Sequence, residues 1–320
     1  MNTFGNCFRI TLYGESHGKE IGIVIDGCPA GIPFSSEDIM PDVKRRSTGG
    51  YGSSGRTECD IPEIRSGVYN GHTTGTPILI TFTNDDIRNE DYNFDGFFRP
   101  GHADYAAYKK YNGNNNPLGG GQFSGRMTLP IVAAGCIAKK IIPNISISAT
   151  INPECLANTQ KAMPDDSAGG IIECRITRIQ AGIGEPFFDS LESLIAHAMF
   201  SIPGAKAIEF GNGIASANML GSQYNDCIID SCGHTATNNC GGINGGISNG
   251  NEIFFTTYFH PTPSIAKKQQ TFNFNAMQMQ DFEIHGRHDV CFALRTPVIV
   301  EALTAIVITD LTLISKTTSR

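Results

Sequence analysis

A chain of 320 residues, 40% of them hydrophobic, can bury a substantial core as one large domain or two ordinary ones, and a net charge of −7 argues against an electrostatic nucleic-acid binder. Residues 1–5 lack the basic-then-apolar pattern of a secretory signal, and no apolar run is read as approaching the ~18 residues of a membrane span. Ten cysteines without a regular framework point to reduced thiols and a cytoplasmic location.

In chain order, residues 7–13 and 21–26 read as strands, the second short and β-branched. Residues 35–46 read as a helix, with Ser35 or Ser36 as N-cap and Glu37 and Asp38 in its first turn. A Gly/Ser-rich loop at 47–57 precedes a strand at 78–83, and an acidic turn follows over 84–95. A helix is expected over about 103–111, irregular chain over 113–125, and a helix over 126–142 despite Pro130. In the second half, strands at 171–177 and 253–259 alternate with helices at 190–200 and 297–313. Without a strict βαβ cadence this favours an α+β fold, and without a repeat or clean linker a single domain, 1–320.

Two motifs each set one histidine among glycines and polar residues. Gly14-Glu15-Ser16-His17-Gly18 matches G-x-S-x-G, the nucleophile elbow of hydrolases, but that elbow needs a helix after the serine. Here a strand is expected next, so a proton-handling His17 or a turn-capping one remains. In Arg99-Pro100-Gly101-His102-Ala103-Asp104-Tyr105, His102 precedes a helix N-terminus, where backbone N–H groups favour an anion and Arg99 adds charge; the alternative is a capping residue.

The stretch Gly119-Gly120-Gly121 with Ser124, Gly125 and Arg126 suggests an anion cradle, though it lacks the Gly-Lys-Ser/Thr of a Walker loop and equally suits a flexible turn. Arg45 and Arg46 could hold a carboxylate or phosphate, or form a solvated face with Lys44. The glycine run 241–250 favours close backbone approach to a ligand. Cys227, Cys232, His234 and Cys240 fit no usual zinc spacing, and the acidic residues of 85–95 fit no EF-hand.

Together the motifs resemble the chorismate synthase family from Thr3 to the last helix. The matching stretches are NTFG, GESHG, VIDGCPAGIP, SGVYNGHTTGTPI, FRPGHADY, GGGQFSGRMT with VAAGCIAKK, GGINGGISNG, FHPTPSI, GRHDVC and PVIVEA, in order and correctly spaced. The resemblance implies a β–α–β sandwich, helices layered between sheets, and a homotetramer. It implies anti-1,4-elimination of phosphate from 5-enolpyruvylshikimate 3-phosphate to give chorismate, with reduced FMN required and no net redox change.

By position, the resemblance makes His17 the histidine that protonates the flavin, His102 the one that neutralises the departing phosphate, and Asp289 the relay for the substrate proton. Arg45, with Arg46 beside it, and Arg126 would bind substrate anions. Gln122, Phe123, Ser124, Gly204, Gly245, His260, Pro261, Thr262, Pro263, Ser264 and Arg287 would contact FMN. The chain departs from the family at Gln122 and Phe123 (commonly Arg and Ser), Met127 (Glu), His260 (Lys), Val290 (Pro) and around Tyr51 (Arg). Some members reduce the flavin with NADPH; lacking G-x-G-x-x-G after a strand, this chain is expected to use an external reductant or reductase. The rival readings are a serine hydrolase using Ser16 and a flavin-binding homologue without turnover.

Overall fold

The computed structural model describes residues 1–47, 59–85, 94–162, 165–284 and 288–318; residues 48–57 of the expected loop, most of the acidic turn and Arg287 lie outside them. One antiparallel sheet has the order Thr3–Phe4, Arg9–Gly14, Glu20–Asp26, Ile78–Thr83, Glu63–Ser66. A second has the order Ala205–Phe210, Ile253–Phe259, Gly170–Thr177, Ser146–Ile151, also antiparallel. The helices are α1 (Ser36–Ser47), α2 (Asp104–Tyr111), α3 (Thr128–Ile141), α4 (Pro153–Ala162), α5 (Leu191–Met199), the single turn α6 (Gly221–Tyr224) and α7 (Pro297–Thr318).

Strand alternation sets the layering. Ile21, Ile23 and Ile25 pair across the first sheet with Phe82, Ile80 and Ile78, and all six are fully buried, so one face of that sheet is continuous apolar surface. The second sheet offers Ile172, Cys174 and Ile176 beside Phe255 and Ile253 in the same way. Helix α3 packs on the first sheet, α7 on the second, and α3 packs against α7. The result is sheet, helices, sheet: the expected β–α–β sandwich. Gly135 of α3 makes the helix contact close, since a Cβ there would stand 2.3 Å from Ala302 Cβ.

Local signals account for the ends. Ser35 Oγ and N–H both reach Asp38 Oδ2, a box that starts α1, and Ser190 Oγ accepts the Ser193 N–H to cap α5. Asp310 of α7 accepts the N–H groups of Asn6, Cys7 and Phe8, tying the amino terminus to the last helix.

One expectation is corrected. Residues Pro297–Lys316 form 20 residues of mean hydropathy 2.0, long and apolar enough to cross a membrane by length and composition. That apolarity belongs to the core, because 78% of its 18-residue apolar window is buried, α7 lying between the sheets. The strands at Ser146–Ile151 and Ala205–Phe210, helix α4 and the hairpin Gln269–Asn273/Gln278–Phe282 were not anticipated.

Candidate active site

The pentapeptide carrying His17 is the turn of a β-hairpin, with strands Arg9–Gly14 and Glu20–Asp26 on either side. The geometry of a nucleophile elbow is absent from this segment. Ser16 Oγ donates to the Gly119 carbonyl at 3.0 Å and lies 3.0 Å from His17 Nδ1, while the Ser16 N–H reaches Gly121 O. The triple glycine is therefore laid onto the His17 turn. A Cβ at Gly119 would stand 2.0 Å from His17 Nδ1, and one at Gly120 would stand 3.4 Å from His102 Nε2. Consecutive glycines thus carry the two histidines, and φ of +60° and +80° at these positions favours glycine.

His102 is held from its other side. Its Nδ1 lies 2.6 Å from Asp104 Oδ1, and Arg99 forks onto the same carboxylate through Nε at 2.7 Å and Nη2 at 2.8 Å. Burial pushes the Asp104 carboxyl up, but the hydrogen bonds and charges of Arg99 and His102 outweigh it and hold it well below the usual carboxylate range. Nδ1 thus has an acceptor, Asp104, at 2.6 Å and a donor, Arg99 Nη2, at 3.1 Å; since that donor also bonds Asp104 at the shorter 2.8 Å, the contacts favour a proton on Nδ1, with Nε2 on the side facing Gly120.

The arginine pair splits. Arg46 is buried, with Nε on Thr128 Oγ1 at 3.1 Å and Nη2 on Gly125 O at 2.9 Å. Burial pulls its guanidinium down to about 10, with Asp60 and Asp289 acting in the opposite sense and Arg126 and Arg295 adding to it. That balance places Arg46 among two acids and two other arginines. Arg45 points elsewhere: it forks onto Glu301 of α7 at 2.8 and 2.7 Å and reaches Asp42 at 3.0 Å. In this arrangement Arg45 joins α1 to α7, its fork set on the buried Glu301 carboxylate.

Arg126 is also engaged internally: Nη1 bonds Asp60 Oδ1 at 2.8 Å, Nε bonds Asn84 Oδ1, and Nη2 reaches Thr83 O. Asn84 Nδ2 in turn donates to Glu15 O at 3.1 Å and Gly18 O at 2.8 Å, joining Arg126 to the His17 turn. Asp289 pairs with Arg295 Nη2 at 3.2 Å, and the following Phe292 ring packs on Gly125. The far end of the chain therefore closes on the segment that follows the triple glycine.

A family model described as chorismate synthase matches residues 8–161 and 152–313. The chain belongs to the chorismate synthase family. A chorismate synthase from Chitinophaga pinensis is 49% identical over 328 residues, covering 100% of this chain and 99% of that protein. One from Methanocella arvoryzae is 42% identical over 348 residues, covering 97% and 93%. A crystal structure of a chorismate synthase is 26% identical with a TM-score of 0.72, covering 98% of this chain and 93% of that one. The activity is accordingly that of chorismate synthase, a carbon–oxygen lyase of aromatic amino acid biosynthesis acting on a small-molecule phosphate, and the family uses a flavin.

Among the flavin residues that chorismate synthase resemblance implies, several meet. The His260 N–H donates to Gly204 O at 3.0 Å, and Ser167 Oγ holds Thr262 O at 2.7 Å. Pro263 stands next to Gly101, and Ser264 Oγ lies 3.4 Å from Arg99 Nη1, so the 260–264 run borders the His102 motif. Thr262 Oγ1 is buried without a hydrogen-bond partner among the described residues, an orphan hydroxyl that suits a polar ligand. Gln122 turns to Tyr111 OH, Phe123 is exposed, and Ser124 caps the turn leading to Arg126. Gly245 sits in the turn between Ile243–Asn244 and Ile247–Ser248, beside the segment preceding α5.

Sequence reasoning missed Asp104, Asn84, Asp60 and Arg295. Asp104 lay inside a quoted motif, two residues from His102; the others carried no local signal. The Cys227–Cys240 region is built instead around Asp226, which accepts from Thr237, Asn239 and Cys240, and Asp230, which meets His234 Nδ1 at 2.6 Å.

Proposed function

We propose that this chain, acting as one unit over 1–320, uses reduced FMN to convert 5-enolpyruvylshikimate 3-phosphate into chorismate. One C–O bond and one C–H bond break, the electron pair left by the proton moves through the ring system, and orthophosphate leaves as a second ring double bond forms. Reduced FMN, when bound, supplies electron density as the C–O bond opens and regains it as the C–H bond breaks.

The residues of the chain bind, orient and handle protons. His17 holds a proton toward the flavin, His102 meets the departing phosphate through Nε2, and Asp289 takes the substrate proton into a relay. Arg46 and Arg126 set fixed positive charge beside the substrate, Arg46 being the buried member of the early pair, held on Thr128 and Gly125. Gln122, Phe123, Ser124, Gly204, Gly245, the run His260, Pro261, Thr262, Pro263 and Ser264, and Arg287 hold FMN. The observation that carries this reading is the placement of Gly119 against His17 and Gly120 against His102, which puts both proton groups on one glycine turn. The assembly is a homotetramer in the cytoplasm, and the flavin is reduced by an external reductant or reductase rather than by NADPH at this chain.

The test is phosphate release under anaerobic conditions with and without dithionite-reduced FMN. Release only with reduced FMN supports the reading; release independent of it sinks it. FMN binding with no release would favour a homologue without turnover. A serine hydrolase is disfavoured because Ser16 Oγ is committed to a carbonyl and a strand follows it.

A further inference from the structure

We propose that Asp104, clamped by Arg99, is a positioning residue that fixes His102 with Nδ1–H turned away from the substrate and Nε2 turned toward it. The inference rests on the reading of His102 as the group that meets the departing phosphate.

Three observations carry it. Asp104 Oδ1 is 2.6 Å from His102 Nδ1, the shorter of the two polar contacts at that atom, the other being Arg99 Nη2 at 3.1 Å. The carboxylate cannot rotate away, because Arg99 takes both of its oxygens and the Arg99 N–H reaches Oδ2 at 3.2 Å. All three side chains are largely shielded, at 4% exposure for Arg99, 13% for Asp104 and 17% for His102, so the pairing is little screened by water.

The ring's opposite edge faces Gly120, which has no side chain to compete for Nε2. Among the described residues, the charged groups in contact with His102 are Asp104 and Arg99; the 260–264 segment packed beside them brings Ser264, which is neutral. A histidine so held presents Nε2 without having to search for its tautomer or orientation. Arg99 also bonds Ser264 of the segment assigned to FMN, so the clamp joins the phosphate end of the site to the flavin end.

The test compares full-length wild type, Asp104→Asn, His102→Gln and the double variant, all with dithionite-reduced FMN, by phosphate release across the neutral pH range. Asp104→Asn should lower kcat by about tenfold or more with KM little changed. The fall in kcat at unchanged KM, with no further loss in the double variant, is a pattern that a merely structural role would not produce. The double variant should be no slower than His102→Gln, because Asp104 acts through the ring.

An Asp104→Asn profile that superimposes on wild type beside a crippled His102→Gln overturns this inference and leaves the reading of His102 intact. Losses that multiply in the double variant also overturn it. Near wild-type rates in His102→Gln remove the reading itself. Should Asp104→Asn not fold, imidazole 15N shifts of the wild type decide, with the His102 signals identified by their loss in His102→Gln. The Nδ1–H tautomer of the neutral ring is expected, and the Nε2–H tautomer overturns the proposal.

Discussion

Gly119 lies against His17 so closely that a Cβ there would stand 2.0 Å from Nδ1 and 2.5 Å from Ser16 Oγ. Both atoms are short side-chain atoms on a turn that Asn84 and Gly121 pin in place, so neither can yield cheaply. Gly119→Ala should therefore cut phosphate release by about tenfold or more, and should cost more stability than the ~1–2 kcal/mol of the positive φ alone, because the overlap adds to it. Activity assays paired with urea unfolding check this. Wild-type turnover would mean that the His17 turn is not a functional element.

Asn84 links the His17 turn to Arg126 through both ends of its amide. Asn84→Ala leaves two carbonyls and a buried guanidinium short of partners, with an expected cost of about 1–3 kcal/mol for an unmet buried group. Activity should fall further than stability does, because the turn carrying His17 is released. A variant with lowered stability but unchanged kcat would show that Asn84 is a structural tie only.

Glu301 is buried on α7 and accepts from Arg45, Lys139 and the Ala149 N–H, so one carboxylate joins α1, α3 and the second sheet. Glu301→Ala should destabilise by roughly 3 kcal/mol, the low end for breaking a buried pair, since Arg45 is half exposed and can be rehydrated. Urea midpoints at neutral pH measure it. A loss confined to activity, with stability unchanged, would contradict the strut assigned to Arg45.

Acid should weaken the fold in a predictable sense. The Glu301, Asp42 and Asp104 carboxyls all titrate below their ordinary values, because hydrogen bonds and charges from their partners outweigh the upward push of burial. A depressed folded value means the stabilisation is present above the unfolded value of ~4 and is lost as pH falls through the folded one. Thermal midpoints should thus hold down to about pH 5 and decline below ~4, and Glu301→Gln should flatten that decline. An unchanged slope in Glu301→Gln would remove Glu301 from the account.

Gly135 sets the distance between α3 and α7. A Cβ there would come within 2.5 Å of the Ala302 Cα, a backbone atom that cannot rotate aside. Gly135→Val should cost about 1–3 kcal/mol or more by forcing the central helices apart, read as a lowered thermal midpoint. A midpoint equal to wild type would show the helix layer to be more compliant than its packing implies.

Much of the fold was legible because its elements carry strong local patterns. The alternating isoleucines of the first sheet, the Ser35 start of α1 and the long apolar α7 can each be read within one window of chain. The strand Ala205–Phe210 could not, since AKAIEF keeps no regular alternation, whereas Ser146–Ile151 (SISATI) does alternate polar and apolar residues and was legible although it was not read. The same apolarity that made α7 recognisable as a helix could not say whether lipid or protein surrounds it; packing between two sheets answers that.

The sequence by itself determined the family, through motifs that stand in order along the whole chain, and it marked His17, His102 and the triple glycine as belonging to a site. Tertiary structure decided what those residues face. Arg45 and Arg46 are adjacent and chemically alike, yet one meets Glu301 and the other meets Thr128 and Gly125, because helix geometry turns successive residues about 100° apart. Asp104 became the partner of His102, and Asn84 the tie to the His17 turn, by the same logic. Partners separated by tens or hundreds of residues are chosen by the packing of sheets and helices, and no local window of sequence contains that choice.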